Sequence, residues 1–175
     1  MPILYASAGQ VNVQVPYNLS VNTQHQITIT RGGVIASPEM VNVAASRPGI
    51  FTKTQTGTGQ ATIFKSDGAT MAEPASPAAI GEAIVIYASG LGEVNPPVNT
   101  GLASPLSPLS RTLNDVQVIV GGIAANVTFA GLAPGFSGLY QINAVVPAGA
   151  PVGDAIEVTL EVAGQQSRPV TIAIR

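Results

Sequence analysis

The chain contains a single histidine, and a general base is the first requirement of most hydrolytic chemistry. His25 stands between Gln24 and Gln26. A Ser–His–Asp arrangement needs a histidine that is hydrogen-bonded to a serine and oriented by a carboxylate. The sequence shows no such grouping, and the segment Ser89–Gly92 lacks the spacing of a G-x-S-x-G nucleophile elbow. We therefore interpret His25 as a surface residue of a strand, and we predict no catalytic residue and no enzymatic activity.

The nine carboxylates are spread along the chain rather than grouped. A glycosidase needs two carboxyl groups that face each other across a cleft. Glu157 and Glu161 would lie on one face of one strand, about 13 Å apart, which suits a solvated row. A calcium loop needs several oxygen ligands close in sequence, whereas Asp67 and Asp154 each stand alone beside a turn glycine. We therefore predict no metal and no cofactor. Because the chain has no cysteine, we also predict no disulfide.

A Gln-x-Asn motif occurs twice, and its amides lie opposite an apolar row. One interpretation is that these amides satisfy backbone groups of an adjoining loop. The other is that they bind sugar hydroxyls, flanked by an aromatic residue such as Tyr5 or Tyr140. Because only 5% of the residues are aromatic and none is Trp, the structural interpretation is favoured. The candidate ligand or interdomain contacts here are Gln10, Asn12, Tyr140, Gln141 and Asn143.

The stretches before the two motifs differ in length. The short segment Ala6–Gly9 leads from Tyr5 to the first motif, whereas the second is preceded by the longer segment Ala130–Leu139. This segment carries the apolar residue Phe136. We predict that the longer loop covers a neighbouring unit, with Phe136 in an interdomain contact, in preference to binding a ligand.

The sequence that begins at Gln10 recurs, at a constant offset and without a gap, from Gln141 to near the end of the chain. Residues match in identity or in apolar character, as with Thr28 and Thr159 or Pro38 and Pro169. Each copy shows apolar residues at every second position, which is typical of a strand with one buried face. We interpret this as a duplication of three consecutive strands.

Further short strands are predicted in the middle of the chain, over 84–88 and 116–120. No segment has a sustained helical period, and 14 Pro and 19 Gly interrupt every window long enough for a helix. Many short strands separated by turns favour a sandwich. We predict an all-β, immunoglobulin-like β-sandwich in tandem with an incomplete first unit. Residues 1–45 would be the last strands of a repeat, 46–77 a connecting segment with a hairpin, and 78–175 the complete sandwich.

Charged residues make up 9% of the chain, against roughly 25% in an average soluble domain. The seven basic residues are scattered, so we expect no nucleic-acid binding and no anionic-membrane binding. No stretch of 18 apolar residues exists, which excludes a spanning helix. A neutral, polar surface suits a secreted or cell-surface location. Since Met1–Tyr5 lack the pattern of a signal peptide, we expect the signal to lie outside this chain.

Several motifs agree in order with a known family. They are Pro48–Thr52, Gly57–Ala61, Pro77–Gly92, Phe129–Phe136 and Gly138–Asn143, closing with Val146–Pro147. With these motifs the chain resembles the C-terminal domain family at the ends of large secreted proteins of soil acidobacteria, Solibacter especially. The resemblance implies immunoglobulin-like sandwiches in tandem, and it brings no activity and no catalytic residue.

Two functions remain open from the sequence. The first is a non-catalytic structural or adhesive module of a larger secreted protein, whose partners are other domains of that protein or a second copy of itself. In this case the incomplete strand set at 1–45 would assemble through strand complementation. The alternative is a carbohydrate-binding module that accompanies a polysaccharide-degrading enzyme.

Overall fold

The computed structural model describes all 175 residues and is all-β, which confirms the predicted class. It contains seventeen strands and no helix, and therefore no helix that could span a membrane. The strands are β1 (Ile3–Ala6), β2 (Val11–Val13), β3 (Thr23–Ile27), β4 (Thr30–Arg31), β5 (Val34–Ile35), β6 (Glu39–Val43), β7 (Gly49–Ile50), β8 (Ile63–Lys65), β9 (Ala83–Ser89), β10 (Val94–Asn95), β11 (Arg111–Thr112), β12 (Val116–Val120), β13 (Ile123–Leu132), β14 (Tyr140–Val145), β15 (Gly153–Val162), β16 (Gln165–Gln166) and β17 (Val170–Ile174).

Strands β7–β17 form a sandwich-like arrangement of two layers. In the first layer β9 and β14 are central, with β7 and β8 on the outer edge of β9 and β13 on the other side of β14. In the second layer β12 pairs with β15, which also carries β16 and β17. Strand β13 belongs to both layers, because its first residues pair with β12 and its later residues with β14.

One core of 25 buried residues fills the space between the layers. The alternation in the sequence sets its membership, since every second residue of β14 is buried, beginning with Tyr140. Strands β9 and β12 contribute in the same way. Apolar residues at alternate positions point to one side of a sheet, and the two layers bury these rows against each other.

Residues 46–77, predicted to be a connecting segment with a hairpin, are built into the sandwich. Strands β7 and β8 both pair with β9. Ile50, Ala61, Ile63 and Ala72 lie in the core. The predicted hairpin is present around the Asp67–Gly68 turn, where Lys65 N donates to Thr70 O at 2.8 Å. The sandwich therefore begins at about residue 46 and not at residue 78.

Residues 1–45 form three two-stranded ladders outside the sandwich, β1–β2, β3–β6 and β4–β5. Their pairing recurs in the second copy of the repeat. His25 faces Val41 as Ile156 faces Ile172, and Arg31 faces Val34 as Val162 faces Gln165. The bounds of β5 and β6 correspond in the same way to those of β16 and β17.

The ladder β1–β2 likewise corresponds to the β13–β14 pairing. Tyr5 faces Asn12 as Phe129 faces Asn143, and each ladder has one bulge at the equivalent place. The loop that joins the two strands is longer in the second copy, where it runs from Leu132 to Tyr140, than in the first, where it runs from Ala6 to Val11. No counterpart of β7–β12 accompanies β1–β6.

Candidate interaction surface in residues 1–45

A buried glutamine fastens residues 1–45 to the sandwich. Gln14 follows β2 and is 8% exposed. Its Oε1 accepts hydrogen bonds from Gly101 N at 2.7 Å and from Ser137 Oγ at 3.0 Å. Gly138 has φ +66°, and a Cβ there would lie 3.0 Å from the Gln14 side chain. The glycine thus lets the loop before β14 close over the amide.

A second contact follows β6, where the chain enters the sandwich. Arg47 N donates to Gly90 O at 2.7 Å. Gly90 has φ +75°, and a Cβ on it would overlap Arg47 O. Gly92, at φ +91°, would meet Ala45 O in the same way. Glycine is required at both positions by its backbone angle and by the close approach of the linker.

An apolar face of residues 1–45 is uncovered. Val15 is 51% exposed, whereas its counterpart Val146 is 0% exposed. Ile29 is 53% exposed and its counterpart Leu160 is 0% exposed. In the second copy β9 and β12 pair with β14 and β15 and complete the core, and the first copy has no counterpart of either strand. The exposed large apolar residues of this region are Met1, Ile3, Leu4, Tyr5, Val11, Val15, Val21, Ile29, Val34, Ile35 and Met40.

The free strand edges of residues 1–45 include those of β2 and β3, whose counterparts are paired on both sides. Strand β2 pairs only with β1, while β14 pairs with β13 and with β9. Strand β3 pairs only with β6, while β15 pairs with β17 and with β12. The second copy is one long strand, β15, but the first is divided into β3 and β4, because it lacks the neighbour that β12 supplies. Free edges of this kind are templates for another strand.

The Gln-x-Asn motifs make the same internal hydrogen bond in both copies. Gln10 Nε2 donates to Asn12 Oδ1 at 2.7 Å, and Gln141 Nε2 donates to Asn143 Oδ1 at 2.9 Å. In each motif one glutamine N–H group is therefore satisfied by the asparagine two residues later. The first pair is exposed and the second is half-buried.

The two predicted aromatic contacts lie in different surroundings. Tyr140 is 3% exposed and its hydroxyl donates to Gly92 O. Burial, together with the neighbouring Tyr17 hydroxyl, raises the pKa of the Tyr140 phenol well above its ordinary value. Phe136 is 58% exposed, and it is the adjacent Ser137 and Gly138 that touch Gln14. The structure therefore brings the loop, but not its aromatic ring, to residues 1–45.

Two open grooves lie on the sandwich. One, of about 340 Å³, contains the Arg111 guanidinium 4.9 Å above the ring of Phe129, with Asp115 at its rim. The other, of about 310 Å³, lies where Tyr17 meets the loop Glu93–Val98. Each groove holds one carboxylate, Asp115 in the first and Glu93 in the second.

The remaining chemical candidates have local structural roles. His25 Nε2 lies 2.9 Å from Thr23 Oγ1 and 2.9 Å from Ser20 O. Asp67 accepts from Thr70 Oγ1 at 2.5 Å and from two backbone N–H groups, and the Thr70 side chain above all lowers its pKa to about 2. No three His, Asp or Glu side chains are grouped.

Gln14 and Tyr17 were not recognised in the sequence as contact residues. A signal for Gln14 existed, since the polar row of β2 continues as Gln10, Asn12, Gln14, while the second copy reads Gln141, Asn143, Val145. Gln14 has no amide counterpart in the second copy, and this difference in sequence marks a position at which the two copies have different neighbours.

The comparisons with known proteins give no match: no family model, no curated protein and no solved structure is significantly similar to the chain.

Proposed function

We propose that this chain is a non-catalytic extracellular structural or adhesive module of a larger secreted protein. Residues 1–45 are the last strands of an immunoglobulin-like unit, in tandem with the sandwich of residues 46–175. The partial unit assembles with a partner through strand complementation, in which a partner's strand extends a free edge.

One observation carries the proposal. Residues 1–43 reproduce the strand pairing of 127–174, bulge included, yet the residues that the second copy buries are exposed or only half-buried in the first. Apolar burial contributes roughly 25 cal/mol per Å², so covering this face is a source of binding free energy. Extensive exposure of large apolar residues is a feature of protein interaction sites.

The polar groups that could do chemistry support a non-catalytic role. The amides of both Gln-x-Asn motifs bond within the motif, Gln14 holds two loops, and Asp67 holds its own turn. Each is engaged in a bond that maintains the fold. The low charge and the sequence motifs support the location outside the cell and the kinship with the acidobacterial C-terminal domains, both of which belong to the proposal.

A peptide that carries strand β9 tests the proposal, because β9 covers β14 in the second copy. We expect a fluorescent peptide of residues 82–90, with lysines added at its ends for solubility, to bind the full chain saturably in an anisotropy titration. Val11→Lys places a charge on the edge strand and should abolish binding.

The matched control is Val152→Lys, at a residue of the sandwich that is 61% exposed. This variant should bind the peptide like the unaltered chain. Absence of binding to the unaltered chain, or equal binding to both variants, would contradict complementation at β2.

A further inference from the structure

We infer that the partner strand which extends the free edge of β2 runs antiparallel to β2 and places a smaller side chain opposite Val13 than the isoleucine that β9 has at this position. This inference rests on the proposed function and names the chemistry of its partner. It follows from the register that the two copies share and from the side chains in which they differ.

Strand β9 shows how a strand lies on the equivalent edge of the second copy. It runs antiparallel to β14, with Ile86 opposite Ile142 and Ile84 opposite Ala144. All four residues are at most 1% exposed, so both pairs belong to the packed core. Residues directly opposite each other in an antiparallel pair have Cβ atoms about 5 Å apart, and the size of one side chain therefore limits the size of the other.

The residues of β2 that would face such a strand are Val11 and Val13. Residue 11 is the counterpart of residue 142, and residue 13 is the counterpart of residue 144, because each has the equivalent partner on β1 or β13. In both ladders the bulge lies between these two pairs. Since the backbone register is the same, a strand that takes the place of β9 has one residue opposite Val11 and another, two positions away, opposite Val13.

The apolar row of β2 distributes its volume differently from the row of β14. Val11 has one carbon atom fewer than Ile142, and Val13 has two more than Ala144. Ile84 fits opposite alanine, but the same side chain opposite Val13 would be overpacked. Opposite Val11, in contrast, a smaller side chain than isoleucine would leave a gap. The edge of β2 therefore selects a strand with a different order of sizes from β9.

Charge does not oppose the pairing of β2 with an apolar strand. Residues 1–45 carry only Arg31 and Glu39 as charged side chains, and neither lies in β2. Strand β2 also contains no proline, and charges and proline are the means by which natural edge strands avoid pairing. Strand β9 is likewise uncharged. An uncharged strand thus matches this edge as β9 matches its counterpart.

Two peptides of identical composition test the inference. Each is the fluorescent β9 peptide with one substitution, Ile84→Val in the first and Ile86→Val in the second. The Ile84→Val peptide should bind the unaltered chain about 3-fold more tightly than its isomer, because it relieves the crowding at Val13, whereas the isomer widens the gap at Val11. It should also bind more tightly than the unsubstituted β9 peptide.

The double variant Val11→Ile/Val13→Ala gives β2 the same apolar residues as β14. This variant should bind the unsubstituted β9 peptide more tightly than either isomer. The preference is a ratio of dissociation constants measured on one chain, so a general loss of stability in the variant cancels. Val152→Ala repeats the change from valine to alanine at an exposed residue of the sandwich and should keep the preference of the unaltered chain.

The outcomes separate this inference from the proposed function. Saturable binding of the β9 peptide with no difference between the isomers, or the same difference on the double variant, overturns the size preference and leaves complementation at β2 in place. A preference of the unaltered chain for the Ile86→Val peptide would place Ile86 opposite Val13, two residues out of register, and also overturns the inference. If none of the three peptides binds, both proposals are overturned.

Discussion

The equivalent positions Val15 and Val146 allow the uncovered face to be measured with one substitution made twice. Both residues are valine, they occupy the same place in the two copies of the repeat, and they differ in burial, at 51% and 0% exposed. Val→Ala removes the same two methyl groups at each site. Any difference in the loss of stability therefore reports the surroundings and not the chemistry of the change.

The expected magnitudes follow from burial. Two buried methyl groups contribute about 1.6 kcal/mol by transfer, and the cavity that remains in a packed core raises the cost of Val146→Ala to about 2–3 kcal/mol. At Val15 about half of the side chain is already in water, so Val15→Ala should cost about 0.8 kcal/mol. The two variants should thus differ by about 1.5 kcal/mol in the free energy of unfolding.

Equilibrium urea unfolding, followed by circular dichroism, measures both values. The titrations are made at protein concentrations low enough to keep the chain monomeric. If residues 1–45 unfold in a separate transition, the effect of Val15→Ala is measured in that transition and the effect of Val146→Ala in the transition of the sandwich. Equal losses at low concentration would refute the reasoning, since they would mean that Val15 is covered in the monomer.

Three further substitutions and one binding assay test other parts of the structure. Gln14→Leu should leave Gly101 N–H without its partner and loosen residues 1–45 by about 1–3 kcal/mol, seen as faster proteolysis of the linker at 45–47, and unchanged cleavage would contradict the anchoring role. Gly90→Ala should destabilise the chain by at least about 2 kcal/mol more than Gly164→Ala in thermal melts, because both have positive φ but a Cβ is obstructed only at position 90. The pKa of Asp67 is lowered from 3.8 to about 2, so the ionised carboxylate should stabilise the fold above about pH 4, and this stabilisation should be lost as the pH falls toward 2. Asp67→Asn should remove this part of the acid dependence of the free energy of unfolding. Parallel pH–stability curves for the variant and the unaltered chain would contradict this role of Asp67. Finally, the chain should not be retained on insoluble cellulose, chitin or xylan, and clear retention on any of them would favour the carbohydrate-binding alternative.

The strands of residues 84–88, 116–120 and 140–145 could be predicted because each buries one face. A strand with one buried face has apolar residues at every second position of its sequence. The same alternation also predicts on which face of its strand Tyr140 lies. It shares a row with Ile142 and Ala144, which are core residues, so its burial follows from the alternation that predicts the strand.

The place of residues 46–77 in the sandwich could not be read from the sequence. The core residues of this segment, such as Ile50 and Ala72, are single buried side chains separated by turns. Buried residues spaced in this way produce no regular apolar pattern in the sequence. Similarly, the sequence shows that the Gln-x-Asn amides share a face, but which partner an amide selects depends on the surroundings. In both motifs the nearest amide, on the same face of the same strand, is the partner.

The way in which β17 meets residues 59–61 and 78 bears on how the sandwich responds to mechanical force. These contacts are parallel: Ala61 N donates to Thr171 O, Thr171 N to Gly59 O, and Arg175 N to Ala78 O, at 2.8–2.9 Å. When residues 46 and 175 are pulled apart, parallel bonds of this kind are strained along the strand direction and must yield together, whereas an antiparallel hairpin pulled at its open end separates one bond at a time. Tension transmitted through the chain is therefore resisted in shear at this seam.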